Sequence, residues 1–352
     1  MPGTSSTAIV TSEGWTHDRS ALATVRALAR AGRTAIVAVS GPGSLAAGSR
    51  FTSETVSVVP PSDPGFAEAV RNLATDRAAT TVFPTSDIAL VSLVPATARL
   101  MDKSTLTAGI IAAGLTTPPT RTFASAAELD LVGRELGFPL IVKPRTKSPG
   151  GPVSVRVDHA IDLMAVPVGV GVAQPYLNGV TRALAGVAWN GRIVARLQQR
   201  YIRTFPSAAG TASFAITEAI DPNRFGLLEA LLGDFDGIFQ AQFVGEALID
   251  LNLRPYGSMA LALAAGLNLP DLVCRLTEGE DVATQTAAVG VRYRWIDGDL
   301  RSLLSEIRAG DRTIFSAWRE AMPHRGVCHS IVSVCDPLPA FIRLRRQTGV
   351  GE

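Results

Sequence analysis

The sequence is short of the residues on which several protein classes depend. Of its 352 residues only 3 are cysteine: Cys274, Cys328 and Cys335. So few exclude a disulfide framework and point to a reducing compartment. Cys328 and His329 lie close to Cys335, but a zinc site needs further ligands at a recognisable spacing. They read as buried small side chains and an incidental histidine. An excess of one charge is missing too: the formal net charge is +2, the signs are mixed, and no basic footprint for nucleic acid stands out. No run of about eighteen apolar residues is free of charge, which leaves no transmembrane helix. The N-terminus has no basic stretch followed by an apolar core, so no signal peptide is read and a cytoplasmic protein is expected. Gly41-Pro42-Gly43 is not a G-x-G-x-x-G fingerprint, which removes a dinucleotide site on that motif. Neither an internal repeat nor a low-complexity tract is present.

What remains is a chain built to fold. Hydrophobic residues make up 47% and charged ones 18%, enough for well-filled cores, and the length predicts two or three domains. The first hundred residues alternate short apolar strands (Thr7 to Thr11, Thr34 to Ser40, Thr55 to Val59, Thr80 to Pro84) with helices (Ser20 to Ala31, Phe66 to Arg77). That alternation predicts an α/β domain with a doubly wound parallel sheet, whose ligands sit at the carboxyl ends of the strands. Glu13, His17, Arg19 and Asp87 fall in those rim loops and suit an acidic substrate, though each reads as readily as solvated surface. Asp102 is placed to cap a helix running to about Gly114. Ser125 to Glu128 has the form of a capping box. In the apolar strand at Leu140 to Pro144, Lys143 needs an anionic partner or an escape to solvent. Ser148-Pro149-Gly150-Gly151-Pro152 follows, a loop whose backbone N–H groups suit phosphates. Asn190-Gly191 marks a hairpin. Thr204 to Thr211 reads as a mobile substrate loop, and the residues after the helix at Leu300 to Ile307 read as a Pro-containing tail.

The most informative stretch is Phe239 to Pro255, two apolar runs about a Gly-containing turn. Asp250, Asn252 and Arg254 alternate along the second run, so they project from one face of a strand. A carboxylate, an amide and a guanidinium on an apolar strand must face a ligand, a metal or one another. Hard cations take such oxygens, and the arginine suits an anion. A two-residue turn at Gly245-Glu246 puts Ala241 opposite Asp250. A three-residue loop puts Gln242 there instead.

Together these residues resemble an ATP-grasp protein, of the kind related to carbamoyl-phosphate synthetase, biotin carboxylase and the carboxylate–amine ligases. Four segments carry the resemblance, in order: LMDKSTLTAGIIAAGLTTPPT, GFPLIVKPRTKSPGG, AQPYLNG and FQAQFVGEALIDLNLRPYGSMALALAAGLNLP. It implies an ATP-grasp fold behind an N-terminal pre-ATP-grasp domain. Its units are residues 1–100, a small ATP-binding lid at 101–178, a large lobe with the metal-binding hairpin at 179–285, and a C-terminal extension at 286–352.

The implied function is an ATP-dependent ligase that forms an acyl phosphate from a carboxylate and passes it to an amine. The implied alternatives are a catalytically degenerate nucleotide-binding or regulatory module and a bicarbonate-using carboxylase. ATP and Mg²⁺ or Mn²⁺ are the implied cofactors, small-molecule carboxylates and amines the substrates, and a homodimer a common assembly. By position, Lys103, Lys143, Gly150, Gly151, Gln174, Tyr176 and Leu177 would hold nucleotide. Gln242, Asp250 and Asn252 would hold the metal, and Arg254 with Lys143 would act on the moving phosphoryl group. His17, Arg203, Thr211 and Ser213 are the substrate candidates. If Gln242 is a ligand, the hairpin connection has odd length, most simply Gly245-Glu246-Ala247. The sequence departs from the family pattern at Pro175, where the hinge is usually acidic, and at Thr181, where a ribose-binding Glu is common.

Overall fold

The computed structural model describes residues 6–14, 18–145, 154–166, 169, 171–207, 210–322 and 326–347. Its N-terminal unit contains β1 (Thr7–Ser12), α1 (Arg19–Arg30), β2 (Thr34–Val39), β3 (Glu54–Ser57), α2 (Phe66–Asp76), β4 (Ala79–Phe83) and α3 (Asp87–Leu93). The strands form a parallel sheet in the order β3-β2-β1-β4. Unbroken apolar runs such as Ala8-Ile9-Val10 suit a strand covered on both faces, and all three residues are fully buried. From β1 the chain winds first towards β3 and then returns to β4. The topological switch point therefore lies at the carboxyl ends of β1 and β4, where such sheets open a crevice.

Two short helices, α4 (Ala98–Met101) and α5 (Lys103–Ala112), lead to the second unit. Asp102 caps α5, its carboxylate accepting from Ser104 N at 2.9 Å. The unit contains β5 (Arg121–Phe123), α6 (Ala126–Leu136), β6 (Leu140–Pro144), β7 (Val155–Val157) and β8 (Gly171–Pro175), with antiparallel order β5-β8-β6-β7. Ser125 caps α6 as its sequence suggests, accepting from Glu128 N.

The remaining elements form the large unit. They are β9 (Thr181–Trp189), β10 (Arg192–Phe205), β11 (Thr211–Glu218), α7 (Pro222–Leu232), β12 (Gly237–Val244), β13 (Ala247–Asn252), α8 (Ala260–Ala264), α9 (Leu269–Thr277), β14 (Gln285–Thr286), β15 (Arg292–Arg294), α10 (Ile296–Ala309), α11 (Ile314–Ala321), β16 (Val327–His329) and α12 (Leu338–Gln347). Their strands make an eight-stranded sheet ordered β13-β12-β9-β10-β11-β15-β16, with β14 paired to β10.

Two expectations are corrected here. The supposed substrate loop at Thr204 to Thr211 is shorter than expected: β10 runs on through Phe205 and β11 begins at Thr211, so its two ends belong to paired strands. The supposed tail folds, with β16 lying parallel to β15 in the large sheet and two further helices in the same stretch. The β segment expected at Val291 to Trp295 is β15, whereas β16 is only three residues long, too short for a period-two pattern to show.

Register decides which side chains share a face. Phe239, Ala241 and Phe243 on β12 and Leu251 on β13 turn to one side, where they pack with Phe225, Leu228 and Leu232 of α7. Each fully buried Phe contributes about 2–3 kcal/mol to folding. The intervening residues face the other side of the sheet. There Ile238, Val187, Leu197 and Ala195 pack beneath α1 and α9, while towards the hairpin tip the same face turns polar.

Candidate functional site

The polar half of that face can be read strand by strand. Across the hairpin, Gln242 pairs with Asp250 and Gln240 with Asn252. On β9 the neighbours are Ala183 and Ala185, whose small side chains leave room above the sheet. On β10, Gln199 lies beside Ala183, and Tyr201 lies two residues on, opposite Ala215 of β11. Ala215 in turn opposes Tyr293 of β15. One surface therefore runs from Asp250 and Asn252, past Gln240, Gln242, Gln199 and Tyr201, to Tyr293.

The hairpin corrects the expected connection. Its turn is two residues, Gly245-Glu246, opened by Gly245 at φ +58°. Parity is restored by a bulge: Phe243 pairs with Leu248 and Gln242 with Asp250, so Ile249 is the extra residue. Gln242 thus faces Asp250 without the odd-length loop. The bulge also re-aims the Ile249 carbonyl, which accepts from Lys143 Nζ at 2.7 Å. Lys143 is 7% exposed and donates also to Gln174 Oε1 at 2.8 Å, while Gln174 donates to Thr120. A buried strand lysine is thereby held across two units, on the backbone carbonyl that precedes Asp250.

Asp250 is 9% exposed and accepts from Asn252 Nδ2 at 3.0 Å. That bond turns the Asn252 amide oxygen away from the carboxylate. Gln242 donates to Gln240 Oε1 at 3.4 Å and Gln240 to Ser258 Oγ at 3.4 Å. Gln240 and Gln199, which also donates to Ser258, were missed as site residues. The alternation of FQAQF carried the signal for Gln240. Gln242, Asp250 and Asn252 present oxygen donors suited to a hard cation, with a single carboxylate among them. Among the described residues no group of three His, Cys, Asp or Glu side chains could hold a metal. Burial pushes the thiols of Cys274 and Cys328 up to about 11 and about 12, which suits packing rather than ligation.

Arg254 follows β13 and reaches the N-terminal crevice, where its Nε donates to Asp87 Oδ1 at 2.5 Å. Asp87, at 1% exposure, opens α3 at the end of β4. Glu13 and Asp18 lie after β1, so the two strand ends at the switch point supply three carboxylates near one guanidinium. Burial pushes the Glu13 carboxyl up to about 7, helped by Asp18 and opposed by a bond with Ser86 and by Arg254. Burial likewise raises Asp18. Arg254 is raised by Asp87, Asp250 and Asp18 against its own desolvation. Burial raises the Tyr201 phenol beside Asp250, Tyr256 and Tyr293, so it stays protonated.

The other sequence-predicted residues fall as follows. Lys103 opens α5, and neighbouring Asp102 is held well below the carboxylate range by the Arg145 guanidinium. Tyr176 follows β8, its N–H donating to Pro139 O at 2.8 Å and its ring lying 4.2 Å from the Arg156 guanidinium. Leu177 is half-buried in the same connector to β9. Thr211 accepts from Arg19 Nη2 at 3.0 Å, and Ser213 is fully buried on β11. His17, Gly150 and Gly151 lie outside the described residues. Arg203 is a correction. Two register shifts between Tyr201 and Thr204 turn it opposite Phe214, on the face away from Tyr293. It is 5% exposed and its fork is filled by Asp299 at 2.7 and 3.0 Å and by Glu320.

No family model and no curated protein matches the sequence. Solved structures do match the fold. An L-amino acid ligase from Bacillus licheniformis aligns over 78% of this chain and 74% of its own, with TM-score 0.57 and 17% identity. N5-carboxyaminoimidazole synthetase from Staphylococcus aureus, complexed with ADP, aligns over 87% and 86%, with TM-score 0.63 and 16% identity. Biotin carboxylase from Campylobacter jejuni aligns over 81% and 74%, with TM-score 0.56 and 16% identity. No helix among the described residues is long and apolar enough to cross a membrane.

Proposed function

The chain has the ATP-grasp fold, and from that premise we propose that it is an ATP-dependent ligase joining a carboxylic acid to an amine through an acyl phosphate. The observation that carries the reading is the meeting of Lys143 with the Ile249 bulge, one residue from Asp250 and on the hairpin that leads to Arg254. Phosphoryl transfer needs positioning and charge neutralisation more than covalent help, and these residues supply both.

In this reading the nucleotide lies between the antiparallel sheet of residues 121–175 and the polar face of the large sheet. Lys143 and Lys103 meet its phosphates, Gly150 and Gly151 add backbone N–H donors to them, and Gln174, Tyr176 and Leu177 border the adenine. The division at 1–100, 101–178, 179–285 and 286–352 follows the same reading. Mg²⁺ or Mn²⁺, when bound by Gln242, Asp250 and Asn252, neutralises triphosphate charge. A carboxylate oxygen of the substrate attacks the γ-phosphorus, and the bond to ADP breaks. Arg254, braced by Asp87, balances the charge of the moving phosphoryl group. The amine then attacks the acyl carbon, phosphate leaves, and the amine proton passes to a base. Glu13, titrating at about 7 beside Arg254, suits that task.

A second reading, a nucleotide-binding module without turnover, is favoured by the single carboxylate in the metal set. Screening amino acids, small acids and bicarbonate with MgATP for ADP release separates the two. The ligase reading expects release only with acid and amine together, abolished in Lys143→Ala and Asn252→Ala. Bicarbonate as the effective acid would assign a carboxylase, and AMP release would sink the acyl phosphate.

A further inference from the structure

Arg19 is the first residue of α1 and is 7% exposed, yet no carboxylate among the described residues pairs with it. Neutral groups hold it instead. Nη1 donates to Tyr293 OH at 3.0 Å and Nη2 to Thr211 Oγ1 at 3.0 Å, and the guanidinium stacks on the Trp295 indole at 3.8 Å. Tyr293 OH in turn donates to Gly257 O at 2.9 Å. The adjacent Asp18 does not serve as counter-ion, because its carboxylate caps α1 at Ala21 N and accepts from Ser20. Arg19 Nε is buried and has no hydrogen-bond partner. Two further buried donors nearby share that condition, Trp295 Nε1 and Ser213 Oγ, on residues joined by the Trp295 N to Ser213 O bond at 2.7 Å.

Burying a guanidinium without an anion is costly, and a buried donor left unpaired adds its own desolvation penalty. Among the described residues the other arginines buried to the same extent, Arg203 and Arg294, both have Asp299 as their carboxylate. The geometry is also built for the approach of Arg19. A Cβ on Gly257 would stand 2.9 Å from Nη2 and 3.1 Å from Cζ, so a larger residue there would push the guanidinium from this position.

The cluster lies on the polar face that begins at Asp250, with Tyr201 within electrostatic range of both Asp250 and Arg19. We infer that Arg19, backed by Tyr293, Thr211 and Trp295, binds a carboxylate of a small-molecule substrate. This rests on the ligase reading for what happens to that substrate, but the binding can be measured without turnover. An arginine fork matches a carboxylate in two hydrogen bonds, which a lysine cannot reproduce.

The test is calorimetry and thermal shift on the full chain, as wild type, Arg19→Gln, Arg19→Lys and Gly257→Ala. The probes are simple monocarboxylates, dicarboxylates and the proteinogenic amino acids, each beside its carboxamide, with MgADP as a separate arm. At least one carboxylate is expected to bind wild type, and its carboxamide not. Arg19→Gln should weaken that carboxylate roughly tenfold or more, with Arg19→Lys and Gly257→Ala between and MgADP affinity unchanged. Comparing simple acids, diacids and amino acids tells whether the anchored group is the one that reacts or a second one on either substrate. Equal carboxylate affinity in Arg19→Gln, or no carboxylate bound by wild type, overturns the inference. If Arg19→Gln does not fold, undiminished affinity in Gly257→Ala overturns it. A wild type that ignores MgADP sinks the ligase reading instead and leaves the Arg19 result standing.

Discussion

Glu13→Gln should change the pH dependence of stability in a defined way. The Glu13 carboxyl titrates at about 7 in the fold against 4.5 ordinarily, chiefly because burial disfavours its charge. The folded chain therefore binds this proton more tightly than the unfolded chain does. Its stabilising contribution is complete below pH 4.5 and is lost as pH rises through about 7. Each tenfold in proton affinity is about 1.36 kcal/mol. With a discount for the partial exposure of Glu13, the native state is penalised by on the order of 2 kcal/mol above pH 7. Gln keeps the neutral form at every pH. Wild type and variant should thus have the same Tm near pH 4, diverge from pH 5 to 7, and run parallel above pH 7.5, with the variant higher by about 3 °C. Thermal denaturation at half-unit pH steps measures this. Parallel curves over the whole range, or a gap that widens towards acid, would refute the placement of a buried carboxyl at the switch point.

Three further outcomes follow from the same geometry. Arg254→Gln leaves Asp87 buried without its ion pair and should cost about 3 kcal/mol by denaturant titration, part of which Asp87→Asn restores in the double variant. Deleting Ile249 removes the bulge while keeping Asp250 opposite Gln242. MgADP affinity should fall because Lys143 loses its carbonyl partner, Tm should fall because a buried ammonium is left short of an acceptor, and unchanged affinity by calorimetry would deny the bulge its role. Phe243→Ala empties a fully buried site against α7 and should cost about 3–5 kcal/mol, with MgADP affinity retained in whatever fraction stays folded.

The four strands and two longer helices of the first hundred residues were legible because buried parallel strands read as unbroken apolar runs between amphipathic helices, while the short α3 and α4 were not. The trio Asp250, Asn252 and Arg254 was legible for another local reason, polar residues at period two on an apolar strand. What sequence could not carry was register. Nothing about Ile249 marks a bulge, so the turn length and the face of Gln242 could not both be read correctly. Arg203 looked available because the two shifts that turn it towards Asp299, 96 residues away in sequence, leave no local trace. Arg19 was visible as a rim residue, but its partner Tyr293 is 274 residues distant, and only the folded chain shows that its neighbours are neutral.

The central claim is that a substrate carboxylate takes the γ-phosphoryl group of ATP. It is tested most directly by incubating the enzyme with MgATP, an amine and the effective acid labelled with ¹⁸O in both carboxylate oxygens, then reading the released phosphate by mass spectrometry. One ¹⁸O per phosphate is the predicted result, since the oxygen that attacks phosphorus leaves with it. Unlabelled phosphate alongside amide product, or label appearing in AMP, would contradict the account.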